Sequence, residues 1–386
     1  MSCEQSCSNS ELEKKDIPTP ECGYRLGTIY FYLTEGCNLK CRHCWIAPTY
    51  EACKDGELNF PYVSLDMVKN IIDQGIELGL GSVKLTGGEP LIHPQINEVI
   101  KYIHSKKLRL VIETNGVSVT PELAALIAEG DSSFVSVSID SHERETHEWV
   151  RGVPGCYDAS LQGIKNLVDA GFRPQIIMSV MRRNVEHIEG LVKLAEEVGA
   201  GSVKFNLVTP TERGKDMANK GETLTIEELV ELGDWVENDL AKRVNIRLHY
   251  SHPFAFRRMS KLFGENDCGG CGIFSIIGVL GSGKYALCGI GESVPEMIFG
   301  DATTDKLADV WNNTSMLNDI REGLPSKLEG VCGDCTMKNI CKGSCIANNY
   351  YSSKRLFAPY WYCSQAFEAG VFPKSRLIPG SKSDLM

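Results

Sequence analysis

The sequence predicts an α/β chain: a partial, TIM-like barrel of six β/α units, (β/α)6, followed by a cysteine-rich C-terminal domain. Three observations carry this. Between residues 28 and 208, β-rich apolar runs alternate with stretches of helical periodicity, the pattern of a parallel sheet covered by helices. The alternation stops at six units, short of the eight that close a full barrel. From residue 266 onward the texture changes to short segments rich in Gly and Cys.

The elements follow in order. Residues 1–27 are a polar N-terminal segment with no apolar stretch of the kind a secretory signal needs. The barrel spans 28–210. TIYFYLT (28–34) is the first strand; SLDMVKNIIDQGIELG (64–79) is helical, with Ser64 as its N-cap. SVKLT (82–86), a helix near 94–105, LRLVIET (108–114) and a helix opening at Pro121 come next. FVSVSID (134–140), a helix near 158–170, PQIIMSV (174–180), a helix near 185–198 and SVKFNLV (202–208) complete the run. Residues 211–265 read as a connecting region with a helix at 225–240, and ERGKDMANKG (212–221) reads as loop. Residues 266–365 read as a domain held by its ligands more than by its core. Residues 366–386 read as a tail whose end, PKSRLIPGSKSDLM, is loose.

The chain has 386 residues, is 42% hydrophobic and carries a formal net charge of −10. That is enough for one large core and a smaller second one. The charge argues against nucleic acid or an anionic membrane as partner. The longest apolar run, IFSIIGVL (273–280), is too short to span a bilayer. The expectation is a soluble, cytoplasmic protein. Sixteen cysteines are a large excess for such a chain, and in a reducing compartment they are more often metal ligands than disulfides. They are also clustered, at 37/41/44, at 268/271/288 and at 332/335/341/345/363.

The first cluster, CNLKCRHC, directly follows the first strand. Three thiolates spaced CxxxCxxC can wrap an iron–sulfur cube and leave its fourth iron open to a small molecule. Zinc completed by His43, or unrelated core thiols, are the plainer alternatives. TGGEP (86–90) follows the second strand and ETNG (113–116) the third, so all three motifs lie at the carboxyl edge of the sheet, where such folds place active sites.

On these motifs the chain resembles the radical S-adenosylmethionine (radical SAM) enzymes, whose signature is CxxxCxxC after the first strand of a partial barrel, with a GGEP-like loop after the second. The family usually has an aromatic residue before the third cysteine; here His43 stands there and Trp45 follows. The resemblance implies a [4Fe–4S] cluster on Cys37, Cys41 and Cys44. Its open iron chelates S-adenosylmethionine, whose reductive cleavage gives a 5′-deoxyadenosyl radical that abstracts hydrogen from an unactivated C–H bond. It further implies cofactor contacts from Gly87, Gly88 and Glu89, with Glu89 on the ammonium. Ser138 and Asp140 would face the ribose and carboxylate, Arg151 the carboxylate, and Asn184 the adenine. An ordinary strand-end pair, a surface arginine and a helix-capping asparagine are the corresponding plain readings.

The C-terminal cysteines, with Gly283 separated by four residues from Cys288 in GKYALC, resemble the SPASM domain of peptide-modifying radical SAM enzymes. That resemblance implies two auxiliary [4Fe–4S] clusters. Cys268, Cys271, Cys288 and Cys345 would hold the first, and Cys332, Cys335, Cys341 and Cys363 the second; zinc sites are the alternative. Cys3, Cys7, Cys22, Cys53 and Cys156 fit no ligand pattern.

SPASM enzymes mostly modify ribosomally made peptides or proteins, so the resemblance implies a peptide or protein substrate and a flavodoxin- or ferredoxin-type reductant. The first strand and cluster loop are also similar to the SPASM proteins of SynChlorMet peptide cassettes. Sulfatase maturases place a basic aspartate directly after the cysteine matching Cys288; here Gly289 stands there. Only 36 residues precede Cys37, so recognition of a leader peptide would come from a separate protein or from the barrel itself. Modification of a tetrapyrrole side chain is the runner-up, disfavoured by the eight C-terminal cysteines. A pure iron–sulfur electron carrier is the reading from another class, and needs neither GGEP nor an open cluster.

Overall fold

A computed structural model describes residues 23–50, 60–130, 132–262 and 271–385. All six expected strands are present. They are β1 (Thr28–Tyr32), β2 (Ser82–Thr86), β3 (Arg109–Thr114), β4 (Ser133–Ser138), β5 (Gln175–Val180) and β6 (Ser202–Leu207). All pair in parallel in chain order. The sheet then continues at both ends. β7 (Arg247–Tyr250) adds to β6, and β8 (Ile276–Val279) adds to the free side of β1, both in parallel. β9 (Lys284–Ala286) and β10 (Ile298–Asp301) extend it antiparallel beyond β8. The order is β10-β9-β8-β1-β2-β3-β4-β5-β6-β7.

β2 and β3 follow the period-two rule. In β2 and β3, Val83, Leu85, Leu110 and Ile112 are fully buried against helices, while Lys84 and Glu113 alternate with them on the other face, 2.7 Å apart. Helix α1 (Leu65–Glu77) buries Val68, Ile71 and Ile72 and is capped by the Ser64 hydroxyl, which accepts the Met67 N–H. α2 (Ile96–Ser105), α3 (Pro121–Ala128), α4 (Arg144–Arg151), α5 (Cys156–Asp169) and α6 (Ile188–Glu197) follow.

Three expectations are corrected. Residues 212–221, read as loop, form the helix α7 (Glu212–Asn219). Its own sequence is charged and weakly patterned; tertiary contacts hold it, through buried Met217 and through Arg213, which donates to Cys41 O and Pro48 O. The C-terminal domain has a substantial apolar core continuous with the barrel's: Trp311, Tyr285 and Tyr362 are fully buried in it. The tail is not loose. Leu377 bridges Cys335, Arg376 O accepts from Thr336, and Ser383 donates to the Asp334 carboxylate through both its N–H and its hydroxyl. Polar composition hid these contacts, because they are made mainly by backbone groups. Among the described residues no helix is long and apolar enough to cross a membrane.

Candidate active site at the carboxyl edge of the sheet

The site is built from the turns after β1, β2 and β3. Gly36–Cys37 pairs with Thr49–Tyr50 and closes the cysteine loop on itself. The TGGEP turn is laced to that loop: Gly88 N–H donates to Thr34 O, Glu89 N–H donates to Gly36 O, and the Thr34 hydroxyl donates to Gly36 O and Glu89 O. Gly87 takes a left-handed φ of +123°. A Cβ on Gly88 would lie 1.9 Å from Gly36 O. The two loops therefore touch backbone to backbone, at a distance only glycine allows.

Glu89 is 1% exposed. Its carboxylate accepts from the Thr114 hydroxyl at 2.7 Å, from Asn115 N–H at 2.8 Å and from Leu91 N–H at 3.1 Å. Burial nevertheless outweighs these donors and raises its pKa to about 6. Glu89 thus clasps the ends of β2 and β3 together from inside the protein. Replacing it by Ala would leave three buried donors unmet, at about 1–3 kcal/mol each. Denaturant unfolding of the metal-free chain is expected to show that loss; unchanged stability would contradict the clasp.

Asn115, from ETNG, connects this clasp to the thiols. Its side chain donates to Asn38 Oδ1 at 2.6 Å and approaches Cys37 Sγ at 4.0 Å. Leu39 N–H points at the same sulfur, 3.4 Å away. Cys37 is buried; Cys41 and Cys44 are half-buried. The three thiols lie within electrostatic reach of one another, and burial raises the pKa of Cys37 and Cys41. A metal cluster would therefore release their protons as it bound.

The second wall comes from α4 and the ends of β4 and β5. Arg151 Nε pairs with Asp140 Oδ2 at 2.6 Å, and Arg151 Nη1 reaches Cys41 Sγ at 3.5 Å. Asp140 is fully buried, and its other oxygen accepts Ser179 N–H. The plain reading of Arg151 as a solvated residue is excluded, since it is 6% exposed. Asn184 is also fully buried and makes no side-chain helix cap; it donates to Asp140 O and Ser179 O and accepts Met181 N–H. Asp140 and Asn184 thus fix the strand ends and hold Arg151 against the cysteine loop. Ser138 is half-buried at the end of β4. His43 sits beside Arg151 and Asp140; its Nδ1 is buried without a partner, and burial pulls its pKa down to about 4.

The remaining cysteines form two groups. Cys271, Cys288 and Cys345 influence one another electrostatically; Cys268 lies outside the described residues. Cys332, Cys335, Cys341 and Cys363 line one cavity, with the Cys332 and Cys363 thiols influencing each other electrostatically and Tyr360 N–H donating to Cys332 Sγ. Cys345 falls with Cys271 and Cys288, across the sequence order. Among the described residues no three His, Cys, Asp or Glu side chains are set for one metal ion. Cys156 is buried beside Cys37 and Leu39, with its pKa pushed up to about 12 by burial; it is a packing thiol. Cys3, Cys7, Cys22 and Cys53 lie outside the described residues.

Gly289 has a physical reason. A Cβ there would fall 2.2 Å from the Tyr32 ring, so Tyr32 fills the space that a side chain at 289 would need. Sequence reasoning quoted the motifs holding Asn38, Asn115 and Tyr32 but assigned these residues no role. Only the fold brings them to the thiols.

Residues 31–195 match the Radical SAM superfamily, and residues 249–336 match SPASM, an iron–sulfur cluster-binding domain. The chain is 31% identical over 353 residues to an AdoMet-dependent heme synthase of Methanosarcina barkeri, covering 87% of this chain and 95% of that one. It is 27% identical over 354 residues to the mycofactocin maturase MftC of Mycobacterium tuberculosis, covering 91% and 86%. In fold it is similar to Streptococcus suis SuiB bound to its precursor peptide SuiA, with TM-score 0.68, 18% identity, and 88% and 76% of the two chains covered.

Proposed function

The chain belongs to the radical SAM superfamily and carries a SPASM iron–sulfur domain, and from that premise we propose that it modifies a ribosomally made peptide by C–H activation, through crosslinking or side-chain oxidation. Members of this family bind a [4Fe–4S] cluster and S-adenosylmethionine in the barrel and auxiliary iron–sulfur clusters in the SPASM domain. When bound, the first pair supplies the 5′-deoxyadenosyl radical that abstracts hydrogen. In this reading Cys37, Cys41 and Cys44 hold the cluster, and the Gly87–Gly88 turn presents backbone carbonyls to the cofactor ammonium. Glu89 fixes that turn from behind with its negative charge. Arg151, oriented by Asp140, faces the cofactor carboxylate, while Ser138 and Asn184 shape the ribose and adenine end. Cys268, Cys271, Cys288 and Cys345, and Cys332, Cys335, Cys341 and Cys363, would hold the auxiliary clusters, whose chemistry would be electron transfer or substrate binding.

The observation that carries the peptide reading is the pair of separate thiol groups in the SPASM domain, supported by the likeness to the mycofactocin maturase. A tetrapyrrole side chain is the second reading, favoured by the likeness to the heme synthase. One incubation separates them. The anaerobically reconstituted chain, with S-adenosylmethionine and dithionite, is offered precursor peptides encoded beside its gene and, separately, iron–coproporphyrin III. Mass spectrometry is expected to show hydrogen lost from a peptide. Conversion of the porphyrin with every peptide unchanged would overturn the peptide reading.

A further inference from the structure

The sheet carries a charged pair that the site above does not use. On the face opposite Val83, Leu85, Leu110 and Ile112, the parallel register sets Tyr30 of β1 beside Lys84 of β2, and Glu113 of β3 falls on the same face. Lys84 Nζ pairs with Glu113 Oε1 at 2.7 Å and stands 4.8 Å from the Tyr30 ring centre, which helps to hold the ammonium in place. Ser136 of β4, Gln175 of β5 and Asn206 of β6 continue that face by register. A closed barrel fills such a face with bulky branched side chains; here each of the six strands places a hydrogen-bonding side chain on it. Neither member of the pair is sealed: the Lys84 side chain is 19% exposed and that of Glu113 37%. Stability does not call for the pair, since well-packed apolar residues in its place would serve at least as well.

The pair adjoins both groups of thiols. Glu113 directly precedes Thr114 and Asn115, whose hydroxyl and N–H hold Glu89 under the cysteine loop. On the other side, Tyr30 and Lys84 lie within electrostatic reach of Cys271 and Cys288. Lys84 offers a donor and Glu113 an acceptor side by side, open to the same space. One residue of an extended chain presents the match: its N–H and C=O point to the same side, as in the hydrogen-bonded pairs of a sheet.

On the peptide reading above, we propose that Lys84 and Glu113 bind the main chain of an extended peptide substrate, Glu113 accepting the N–H and Lys84 donating to the C=O of one residue. Binding through main-chain atoms fixes the depth and direction of the peptide whatever its sequence, and leaves alternate side chains to reach the cysteine loop. A tetrapyrrole carboxylate would meet Lys84 but be repelled by Glu113 beside it.

The test is calorimetry on the full, anaerobically reconstituted chain with a precursor peptide encoded beside its gene, and with copies of that peptide each N-methylated at one residue. In wild type, methylation at the position held by Glu113 is expected to raise Kd about tenfold or more. K84M/E113L removes both charges together and leaves neither one buried alone. Its Kd for the parent peptide should rise about tenfold or more, while the N-methyl copy that has already lost the contact should be affected far less. K84R keeps the donor and should bind the parent peptide nearly as wild type does. Equal affinity of wild type and K84M/E113L for the parent peptide would overturn the proposal and leave the peptide reading standing. So would an equal loss for the parent and every N-methyl copy, the mark of a merely structural effect. So would a wild type whose binding no N-methyl group weakens, a result that needs no variant to fold. Wild type binding iron–coproporphyrin III and no peptide would overturn both readings.

Discussion

A Cys41→Ala chain is expected to release no 5′-deoxyadenosine above background under dithionite, while wild type does. Cys41 is the thiol that the Arg151–Asp140 pair holds in place, with Arg151 Nη1 3.5 Å from its sulfur. Removing it leaves two thiolates on the cysteine loop, too few to hold a cube with one open iron. It also leaves the buried guanidinium with one partner fewer. The two SPASM thiol groups contain none of these residues, so the variant should keep about two thirds of its iron. This combination, most of the iron retained and all cleavage lost, separates loss of the open cluster from general misfolding. Cleavage at the wild-type rate would contradict the open-cluster account outright.

The second large effect is expected at Gly88. An added methyl group would sit 1.9 Å from Gly36 O and 2.6 Å from Gly36 C. Both are backbone atoms of the cysteine loop, so no side chain can swing aside to make room. The turn must lift off the loop, and the bonds from Gly88 N–H to Thr34 O and from Glu89 N–H to Gly36 O go with it. Overpacking and two lost backbone bonds together amount to about 3 kcal/mol or more. Displaced carbonyls would also lower cofactor affinity by about a hundredfold. Gly88→Ala should therefore unfold at lower denaturant and bind S-adenosylmethionine weakly in equilibrium dialysis. Wild-type values for both would show that the two loops need not touch.

The same residues show how far the sequence could be read. Strands β1 to β6 were legible because fully buried positions such as Val83, Leu85, Leu110 and Ile112 leave an alternating apolar signal. The cysteine motifs were legible because a ligand set fixes spacing along the chain. β7 was not: RLHY is four residues long with a single buried side chain, and its pairing partner lies 45 residues earlier. The role of Glu89 was half legible. Its place at the end of β2 predicted proximity to the cofactor, but its three donors come from Leu91 and from a strand some twenty-five residues on, and only the fold assembles them. Arg151 and Asp140 were each read as facing the cofactor separately. Their mutual ion pair depends on α4 turning back over the sheet, which its strongly polar sequence, RETHEWVR, did not announce. Cys345 joining Cys271 and Cys288 was available only by family resemblance, because spacing alone places it with Cys341.

The central claim is that this chain holds one open cluster in the barrel and two closed ones in the SPASM domain. Iron and zinc analysis of the anaerobically reconstituted protein tests it most directly. About twelve irons per chain, from three four-iron cubes, is the predicted result. Four irons or fewer, accompanied by stoichiometric zinc, would contradict it.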